Sequence, residues 1–251
     1  MVSVILHGCS GHMGQVVTDI IAAEPDVQIV AGIDAVDLHN REYPVFTKAA
    51  DCQVPADVII DFSTAKAVDV LVNYGVERNI PIVLCTTGLS EEQIANIKTA
   101  SEEIAILRSA NMSIGVNLLL KLLREVSGTL TESGFDPEII EQHHRRKIDA
   151  PSGTAAALAD AINEGTGGKY HYVYDRSERR EKRDSKEIGV SSVRGGTIVG
   201  VHDVIFAGQD EVIEFTHTAY SRAIFANGAV AAAKFLAGRA PGLYDMADVI
   251  G

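Results

Sequence analysis

The chain has 251 residues, 46% of them apolar and 22% charged, with a formal net charge of −12 at pH 7. This length allows one large domain or two modest ones, and the composition is typical of a soluble globular protein. An acidic chain lacks the basic face that a nucleic-acid backbone requires, so we expect no nucleic-acid partner. The three cysteines match no zinc-site spacing, which predicts reduced thiols in a cytoplasmic protein. No basic leader precedes the first apolar run, and no run reaches about eighteen apolar residues, so neither a signal peptide nor a membrane partner is expected.

The first segment has the order strand, glycine-rich turn, helix, strand, acid. Apolar residues 2–6 and 27–33 predict strands, and 15–24 have the spacing of a helix. Glycines let the backbone approach a pyrophosphate at a helix N-terminus. Asp34 follows where a ribose-binding carboxylate is expected. The alternative is a glycine turn that serves packing alone. The pattern predicts a dinucleotide site made of Gly8, Cys9, Ser10, Gly11, His12, Met13, Gly14 and Asp34.

Asp34 also bears on the choice of cofactor. A carboxylate accepts hydrogen bonds from a free ribose 2′-hydroxyl and repels a 2′-phosphate. Residues 35–37 contain no arginine, and the nearest basic residues are Arg41 and Lys48. The sequence therefore slightly favours NADH over NADPH.

The alternation of strands and helices continues to residue 107. Apolar runs at 58–62, 80–84 and 104–107 predict strands, and Ser90 with Gln93 predicts a capping box at a helix start between them. Repeated strand–helix units predict a parallel, doubly wound sheet, whose ligands bind at the carboxyl ends of the strands. Loops 8–14, 62–64, 85–88 and 109–112 should share one rim. They add these candidate cofactor residues: Phe62, Cys85, Thr86, Thr87, Ser109, Ala110, Asn111 and Met112.

After residue 117 the pattern changes. A helix is predicted at 118–126 and another at 222–236, while strands at 189–193, 198–206 and 211–218 have no helix between them. This order predicts an antiparallel or mixed sheet. The highly charged segment 175–187 predicts a mobile, solvated loop, or else a flap near an acidic substrate.

The stretch 141–155, EQHHRRKIDAPSGTA, lies between a strand predicted to end at Ile140 and a helix predicted at 154–162. Ser152 favours a helix cap. A cationic loop before a helix N-terminus can hold a carboxylate or phosphate. The alternative is a solvated basic loop with an ordinary cap.

This stretch resembles the E-x-HHxxKxDAPSGTA signature of the dihydrodipicolinate reductase family. GCSGHMG at 8–14, DFS at 61–63, TTG at 86–88, NMSIGVN at 111–117, SVRGG at 192–196 and the run 206–222 are similar to other family motifs, in family order. The resemblance covers nearly the whole chain. Two departures are visible: Cys85 replaces the first glycine of the family's GTTG, and Ala110 and Met112 depart from its APNFS.

The resemblance implies a Rossmann-like doubly wound parallel sheet plus a second α+β domain with a mixed or antiparallel sheet. Residues 1–114 and 222–251 would form the dinucleotide-binding domain. Residues 115–221 would bind substrate and assemble a homotetramer. Hinge closure between the domains would bring the nicotinamide onto the substrate ring and exclude water.

The implied reaction is the reduction of 4-hydroxy-tetrahydrodipicolinate to tetrahydrodipicolinate by NADH or NADPH, on the route to diaminopimelate and lysine. The family assignment makes His143 the acid/base and Lys147 the proton donor, although from the residues alone either could supply the proton. No metal is implied. The small dicarboxylate substrate would be held by His144, Lys147, Ser152, Gly153 and Thr154.

His217 and Arg222 also match family positions, and Arg222 could reach the substrate or form a hinge salt bridge. Two other functions compete with the reductase. One is a two-domain dehydrogenase of the aspartate or homoserine type, which does not need the HHxxK cluster. The other is a non-catalytic NAD-binding sensor, which would bind cofactor without turnover.

Overall fold

The computed structural model describes residues 1–38 and 41–251. The chain divides into two compact units, one made of Met1–Ile114 with Ala223–Gly251 and the other of Gly115–Arg222. Among the described residues no helix combines the length and the apolar character needed to cross a membrane.

The first unit is built on a seven-stranded parallel sheet. Its elements are β1 (Val2–His7), α1 (His12–Ala22), β2 (Val27–Ile33), β3 (Val45–Phe46), β4 (Val58–Asp61), α2 (Ala65–Arg78), β5 (Ile82–Leu84), α3 (Glu91–Ala100), β6 (Ala105–Arg108), α6 (Ala223–Leu236), β12 (Gly242–Tyr244) and α7 (Met246–Ile250). The strand order is β12-β6-β5-β4-β1-β2-β3, with every pairing parallel. Helices α1 and α6 bury their apolar faces in one core, and α2 and α3 in a second core. The predicted doubly wound sheet is therefore confirmed.

Helix starts in this unit follow local capping chemistry. Helix α3 has the predicted capping box: Ser90 Oγ accepts from the Gln93 amide at 3.2 Å, and Gln93 Oε1 accepts from the Ser90 amide at 3.1 Å. Helix α1 begins at His12 rather than Gln15, because Gly11 already serves as its N-cap. Strands β3 and β12 and helix α7 were not predicted, since two to five residues are too few to show a period.

The second unit packs two helices on a five-stranded sheet. Its elements are α4 (Ile114–Glu132, beginning at the unit boundary), β7 (Asp136–His143), α5 (Gly153–Gly165), β8 (His171–Val173), β9 (Glu187–Arg194), β10 (Gly200–Ala207) and β11 (Val212–Ala219). In the order β11-β10-β7-β9-β8, β10 pairs antiparallel with β11 and β7, whereas β9 pairs parallel with β7 and β8. The mixed sheet is confirmed. One core joins α4 and α5 to its inner face.

Strand β7 corrects one expectation, because it runs to His143 instead of ending at Ile140. It is paired on both sides, with Val201 of β10 opposite Gln142 and Arg194 of β9 opposite His143. Alternate residues are buried along its length. Period-two alternation therefore points Glu141 and His143 to the same inner face as Ile139.

The segment 175–187, predicted to be a mobile, solvated loop, is largely exposed, and arginines within it bind the neighbouring sheet. Arg176 donates to Glu138 and to Glu187, both at 2.7 Å, and Arg183 donates to Asp136 at 2.7 Å. The Glu187 side chain is fully buried under these arginines. These contacts were not predicted because the partners in β7 lie 38 or more positions away in the chain, beyond any local pattern.

Candidate functional site

The first unit carries the candidate cofactor residues on one edge of its sheet. The four predicted loops follow β1, β4, β5 and β6, which are neighbours in the strand order. Because all of these strands are parallel, their carboxyl ends lie at one edge. Ligands of open α/β sheets bind at that edge where the strand order reverses, here beside β1.

The glycine-rich turn is shaped by close backbone contacts. Gly8 has φ +80°, and a Cβ there would lie 2.5 Å from the Phe62 carbonyl oxygen. The Gly8 amide donates to Ile33 O at 2.8 Å, and the Gly11 amide donates to Gly8 O at 3.1 Å. Among the described residues no side chain caps α1 at Gly11. The helix start therefore presents backbone N–H groups that can bind an anion.

Asp34 is fastened to this turn. Its two oxygens accept from the Ser10 amide at 2.9 Å and from the Val36 amide at 3.3 Å. The Ser10 hydroxyl donates to Val36 O at 2.7 Å. A carboxylate has about four acceptor sites, so Asp34 keeps capacity for a ribose hydroxyl.

Arg41 lies on the same turn, which the sequence did not indicate. Its guanidinium donates to Cys9 O at 2.6 Å and to Gln15 Oε1 at 2.7 Å. Arg41 therefore binds the turn at Cys9, one residue before Ser10, whose amide donates to Asp34. The twenty-six or more positions between the contacting residues hide this contact from any local pattern.

The other candidate cofactor residues divide by exposure. Gly11, His12, Thr87 and Ala110 are exposed, and Ser10, Met13, Phe62, Cys85, Ser109 and Asn111 are half-buried. The side chains of Cys9 and Met112 belong to the core, at 0% and 4% exposure, so only their backbones can face a ligand. Burial raises the pKa of the Cys85 thiol, and nearby Asp61 raises it further. Asn111 Oδ1 accepts from the Ser113 amide at 2.8 Å, which fixes the last of the four loops.

These residues fit a dinucleotide. The Gly8 turn is a cradle that a side chain would fill. The Thr86 hydroxyl is buried on the same edge and has no hydrogen-bond partner within residues 1–38 and 41–251. Buried hydroxyl groups normally have a partner, and a bound nicotinamide group would offer one.

In the second unit the candidate catalytic histidine is buried and paired with a carboxylate. His143 is 8% exposed, and its Nδ1 lies 2.6 Å from Oε2 of the buried Glu141. Burial lowers the pKa of His143, against the opposing effect of Glu141, while Lys147 and Arg194 lower it further. The imidazole is therefore neutral near pH 7.

Glu141 is the centre of this arrangement. Arg194 donates to its two oxygens at 2.8 and 2.6 Å, and the Ser152 amide donates at 3.1 Å. Burial alone would raise the pKa of Glu141, but hydrogen bonds led by those from Arg194 lower it to about 2. Glu141 is thus a buried, ionised acceptor.

Ser152 joins β10 to the start of α5. Its hydroxyl accepts from the Ala155 amide at 3.1 Å, as an N-cap, and lies 3.0 Å from His202 Nε2. Burial lowers the pKa of His202 to about 4, and its ring meets that of His143 edge-on at 5.2 Å. The predicted contact of Ser152 with substrate stays a prediction, since its hydroxyl and amide already have protein partners.

The remaining predicted substrate residues lie along the loop and helix start after β7. Lys147 Nζ lies 2.9 Å from Asp149 Oδ2, with its side chain 21% exposed. His144 Nδ1 is buried and has no partner in the described part of the chain. Gly153 is exposed and opens the first turn of α5, followed by the half-buried Thr154. The second unit therefore combines a lysine, two histidines and a helix N-terminus.

Three residues of this site were missing from the sequence prediction: Glu141, Arg194 and His202. Their signal was strand alternation, because each falls on the inward face of its strand or at its end. His217 lies opposite His202 across β10 and β11, and burial lowers its pKa. Arg222 is exposed at the end of this unit. In the described residues no group of three or more His, Cys, Asp or Glu side chains could hold a metal ion.

Two family models match the chain. Residues 2–112 match the model described as dihydrodipicolinate reductase, N-terminus, and residues 115–250 match the model of its C-terminus. A 4-hydroxy-tetrahydrodipicolinate reductase of Caldanaerobacter subterraneus subsp. tengcongensis is 49% identical over 100% of this chain and 98% of its own. The enzyme of the same name from Clostridium novyi is 46% identical over 100% of this chain and 98% of its own.

Among solved structures, a dipicolinate-bound dihydrodipicolinate reductase from Paenisporosarcina sp. TG-14 superposes with a TM-score of 0.81. It is 25% identical, and the match covers 100% of both chains. Sequence and fold therefore point to the same relatives along the whole length.

Proposed function

The chain belongs to the dihydrodipicolinate reductase family, and on that premise we propose which of its residues carry out the reduction of 4-hydroxy-tetrahydrodipicolinate. The chain is an oxidoreductase that uses a nicotinamide cofactor and forms tetrahydrodipicolinate, on the route to diaminopimelate and lysine. We assign cofactor binding to the first unit. We assign substrate binding and proton transfer to the second.

Cofactor binding rests on the edge of the parallel sheet. The Gly8–Gly14 turn and the N-terminus of α1 would take the pyrophosphate, and Asp34 would accept from a ribose hydroxyl. The buried Thr86 hydroxyl would pair with the nicotinamide amide. A bound nicotinamide cofactor supplies the hydride.

We propose NADH as the better cofactor because Asp34 opposes a 2′-phosphate. Arg41 works against this preference, since its guanidinium lies on the same turn. Replacing Arg41 with alanine should therefore weaken the binding of NADPH more than the binding of NADH. Steady-state KM values for both cofactors test this, and a ratio unmoved by Arg41→Ala would exclude Arg41 from the choice.

Lys147 is the proposed proton donor. The overall reaction consumes one hydride and one proton and releases the 4-hydroxyl group as water, and a lysine ammonium can supply the proton. Its partner Asp149 is exposed on the same loop. His143 is neutral and its Nδ1 is engaged by Glu141, so its Nε2 offers a lone pair. We therefore assign His143 as the acid/base that accepts and returns a proton, and Lys147 as the donor to the ring.

The two carboxylates of the substrate need anion-binding groups. The N–H groups of Gly153 and Thr154 at the start of α5 supply one set, and Lys147 and His144 supply charge and a donor. The dipicolinate bound to the Paenisporosarcina relative is itself a ring dicarboxylate. This likeness supports a small dicarboxylate substrate.

The assembly proposed is a homotetramer formed through the second unit. Its sheet ends in the edge strand β11, where Val212 is 56% exposed, and Tyr220 just beyond it is 87% exposed. Light scattering with size-exclusion chromatography tests the tetramer. The reduced cysteines, of which Cys9 and Cys52 are buried, suit the cytoplasmic location that we propose.

The observation that carries the assignment is the buried Glu141–His143 pair placed one loop before a helix N-terminus. The test is calorimetric binding of dipicolinate and NADH to the wild type, Lys147→Ala and Arg145→Ala. Arg145 is exposed on the same loop and serves as the matched control. We expect Lys147→Ala to weaken dipicolinate at least tenfold while NADH binding and the control stay unchanged. Equal dipicolinate binding by all three proteins would remove Lys147 from the site.

A further inference from the structure

We propose that Arg194 and Glu141 act together as positioning residues that fix the His143 ring, with its Nδ1–H toward Glu141 and its Nε2 as an open lone pair. The inference rests on the proposed role of His143 as the acid/base. It adds the residues that determine which ring nitrogen of His143 carries the proton. Neither residue needs to touch substrate or cofactor.

Glu141 accepts hydrogen bonds at both carboxylate oxygens, and a hydrogen bond from the Ser192 side chain also helps to lower its pKa. Its Oε2 accepts from His143 Nδ1 at 2.6 Å and from Arg194 Nη1 at 2.8 Å. Its Oε1 accepts from Arg194 Nη2 at 2.6 Å and from the Ser152 amide at 3.1 Å. An ionised carboxylate has no proton to donate. His143 must therefore be the donor in this pair, and its proton lies on Nδ1.

The other ring nitrogen is left open by the neighbouring strand. A Cβ at Gly200 of β10 would lie 3.1 Å from His143 Nε2. Glycine at this position leaves room beside the lone pair. His202 meets the ring only edge-on, at 5.2 Å between centroids. Nε2 is thus the nitrogen able to exchange a proton during the reaction.

Arg194 explains how a carboxylate can orient His143 without charging it. A lone buried carboxylate would favour the imidazolium, and its bidentate pairing with Arg194 offsets that charge. The charged and titratable groups that face His143 are Glu141 on its own strand, Arg194 on β9, His202 on β10 and Lys147 on the loop. Only the first of these favours a protonated ring.

Arg194 also reaches the loop that bears the proposed donor. Its Nη2 donates to the Asp149 carbonyl at 2.6 Å, and the Asp149 carboxylate lies 2.9 Å from Lys147 Nζ. One guanidinium therefore holds both the partner of His143 and the backbone beside Lys147. Loss of Arg194 should disturb both groups.

The sharpest test is Glu141→Gln, because the amide has one acceptor oxygen where the carboxylate has two. At the Oε1 position an NH₂ group would face two donors, the Ser152 amide and Arg194, and neither can become an acceptor. At the Oε2 position it would face one fixed donor, Arg194 Nη1, but it can donate to His143, provided that the ring moves its proton to Nε2. We therefore expect a tautomer switch. Glu138→Gln is the matched control, since Glu138 lies on the same strand and binds Arg176 instead.

The measurement is ¹⁵N NMR of ring-labelled histidine at about pH 7.5, above the ordinary histidine range, with His143 assigned by His143→Gln. We expect the Nδ1–H form in the wild type and in Glu138→Gln, and the Nε2–H form in Glu141→Gln. Arg194→Met should raise the pH at which His143 becomes protonated. A wild-type ring in the Nε2–H form, a charged wild-type ring, or a ring unchanged in Glu141→Gln would each overturn the proposal.

Turnover gives the second readout. We expect Glu141→Gln to lower kcat by about 10²-fold or more, as a wrong tautomer does in other enzymes, with NADH affinity unchanged. Equal kcat in the wild type and Glu141→Gln would overturn the proposed role. A wild type that shows the Nδ1–H form but no reductase turnover would refute the proposed function. The NMR result would then still establish the positioning pair, so the two failures are distinguishable. If Glu141→Gln does not fold, two other results test the proposal. They are the tautomer of His143 in the wild-type spectrum and the pH at which His143 becomes protonated in Arg194→Met.

Discussion

Replacing the buried histidine of β10, His202→Gln, should flatten the acid dependence of stability. His202 is 5% exposed, and a glutamine amide can keep its hydrogen bond to the Ser152 hydroxyl. Burial lowers the pKa of His202 from its ordinary 6.5 to about 4. The folded protein therefore excludes a proton that the unfolded chain binds.

The sign of the effect follows from proton linkage. Below pH 6.5 the unfolded state binds a proton at this site, and the folded state binds it only near pH 4. Stability from the neutral ring is complete above the upper value and is lost as the pH falls toward the lower one. At about 1.4 kcal/mol for each pH unit, His202 contributes up to about 3 kcal/mol of this loss.

Urea unfolding of the wild type and His202→Gln at about pH 7 and about pH 4.5 measures the difference. Protein concentration must be equal throughout, because the proposed assembly would also add stability. His143 and His217 also have pKa values lowered by burial, so the variant should keep part of the acid dependence. His171→Gln is the control, since that histidine side chain is 54% exposed. An equal loss of unfolding free energy in wild type and His202→Gln would refute the reasoning.

Three further predictions concern other parts of the chain. Gly8→Ala should reduce NADH affinity at least tenfold in calorimetry, because the φ of +80° at Gly8 and the Phe62 carbonyl leave no space for a side chain. Unchanged affinity would mean that the cofactor binds elsewhere. Ser90→Ala should lower the free energy of unfolding by about 1 kcal/mol in urea titration, since it removes one half of the capping box. An unchanged free energy of unfolding would mean that solvent replaces the cap. Glu187→Gln should speed proteolysis within residues 175–187, because three arginines pair with Glu187. Glu178→Gln is the control. Equal proteolysis rates in the two variants would show that these ion pairs do not hold the segment.

Much of the fold follows from local patterns. The strand–turn–helix–strand–acid order at 2–34 predicts an arrangement that buries the apolar runs and leaves the glycines at a helix start. The Ser90 capping box is likewise a four-residue pattern. These are features whose physical causes lie within a few positions, and the sequence predicts them correctly.

The parts that failed depend on distant partners. The segment 175–187 contains little apolar surface, and its contacts with the sheet are made to Glu138 and Asp136 on another strand. Arg41 reaches the glycine turn across thirty-two positions. The His143 pair was partly visible, because Glu141 lies two residues away on a strand. It was missed because the strand was predicted to end at Ile140.

His143 and Lys147 are the proposed reacting groups of this reductase. The direct measurement is oxidation of NADH and of NADPH with freshly made product of pyruvate and aspartate-semialdehyde condensation, for wild type, His143→Ala and Lys147→Ala. We predict rapid turnover by the wild type and a loss of about 10² to 10⁴-fold in each variant, while NADH still binds. Tight NADH binding without wild-type turnover would contradict the proposed reductase activity and favour a non-catalytic sensor.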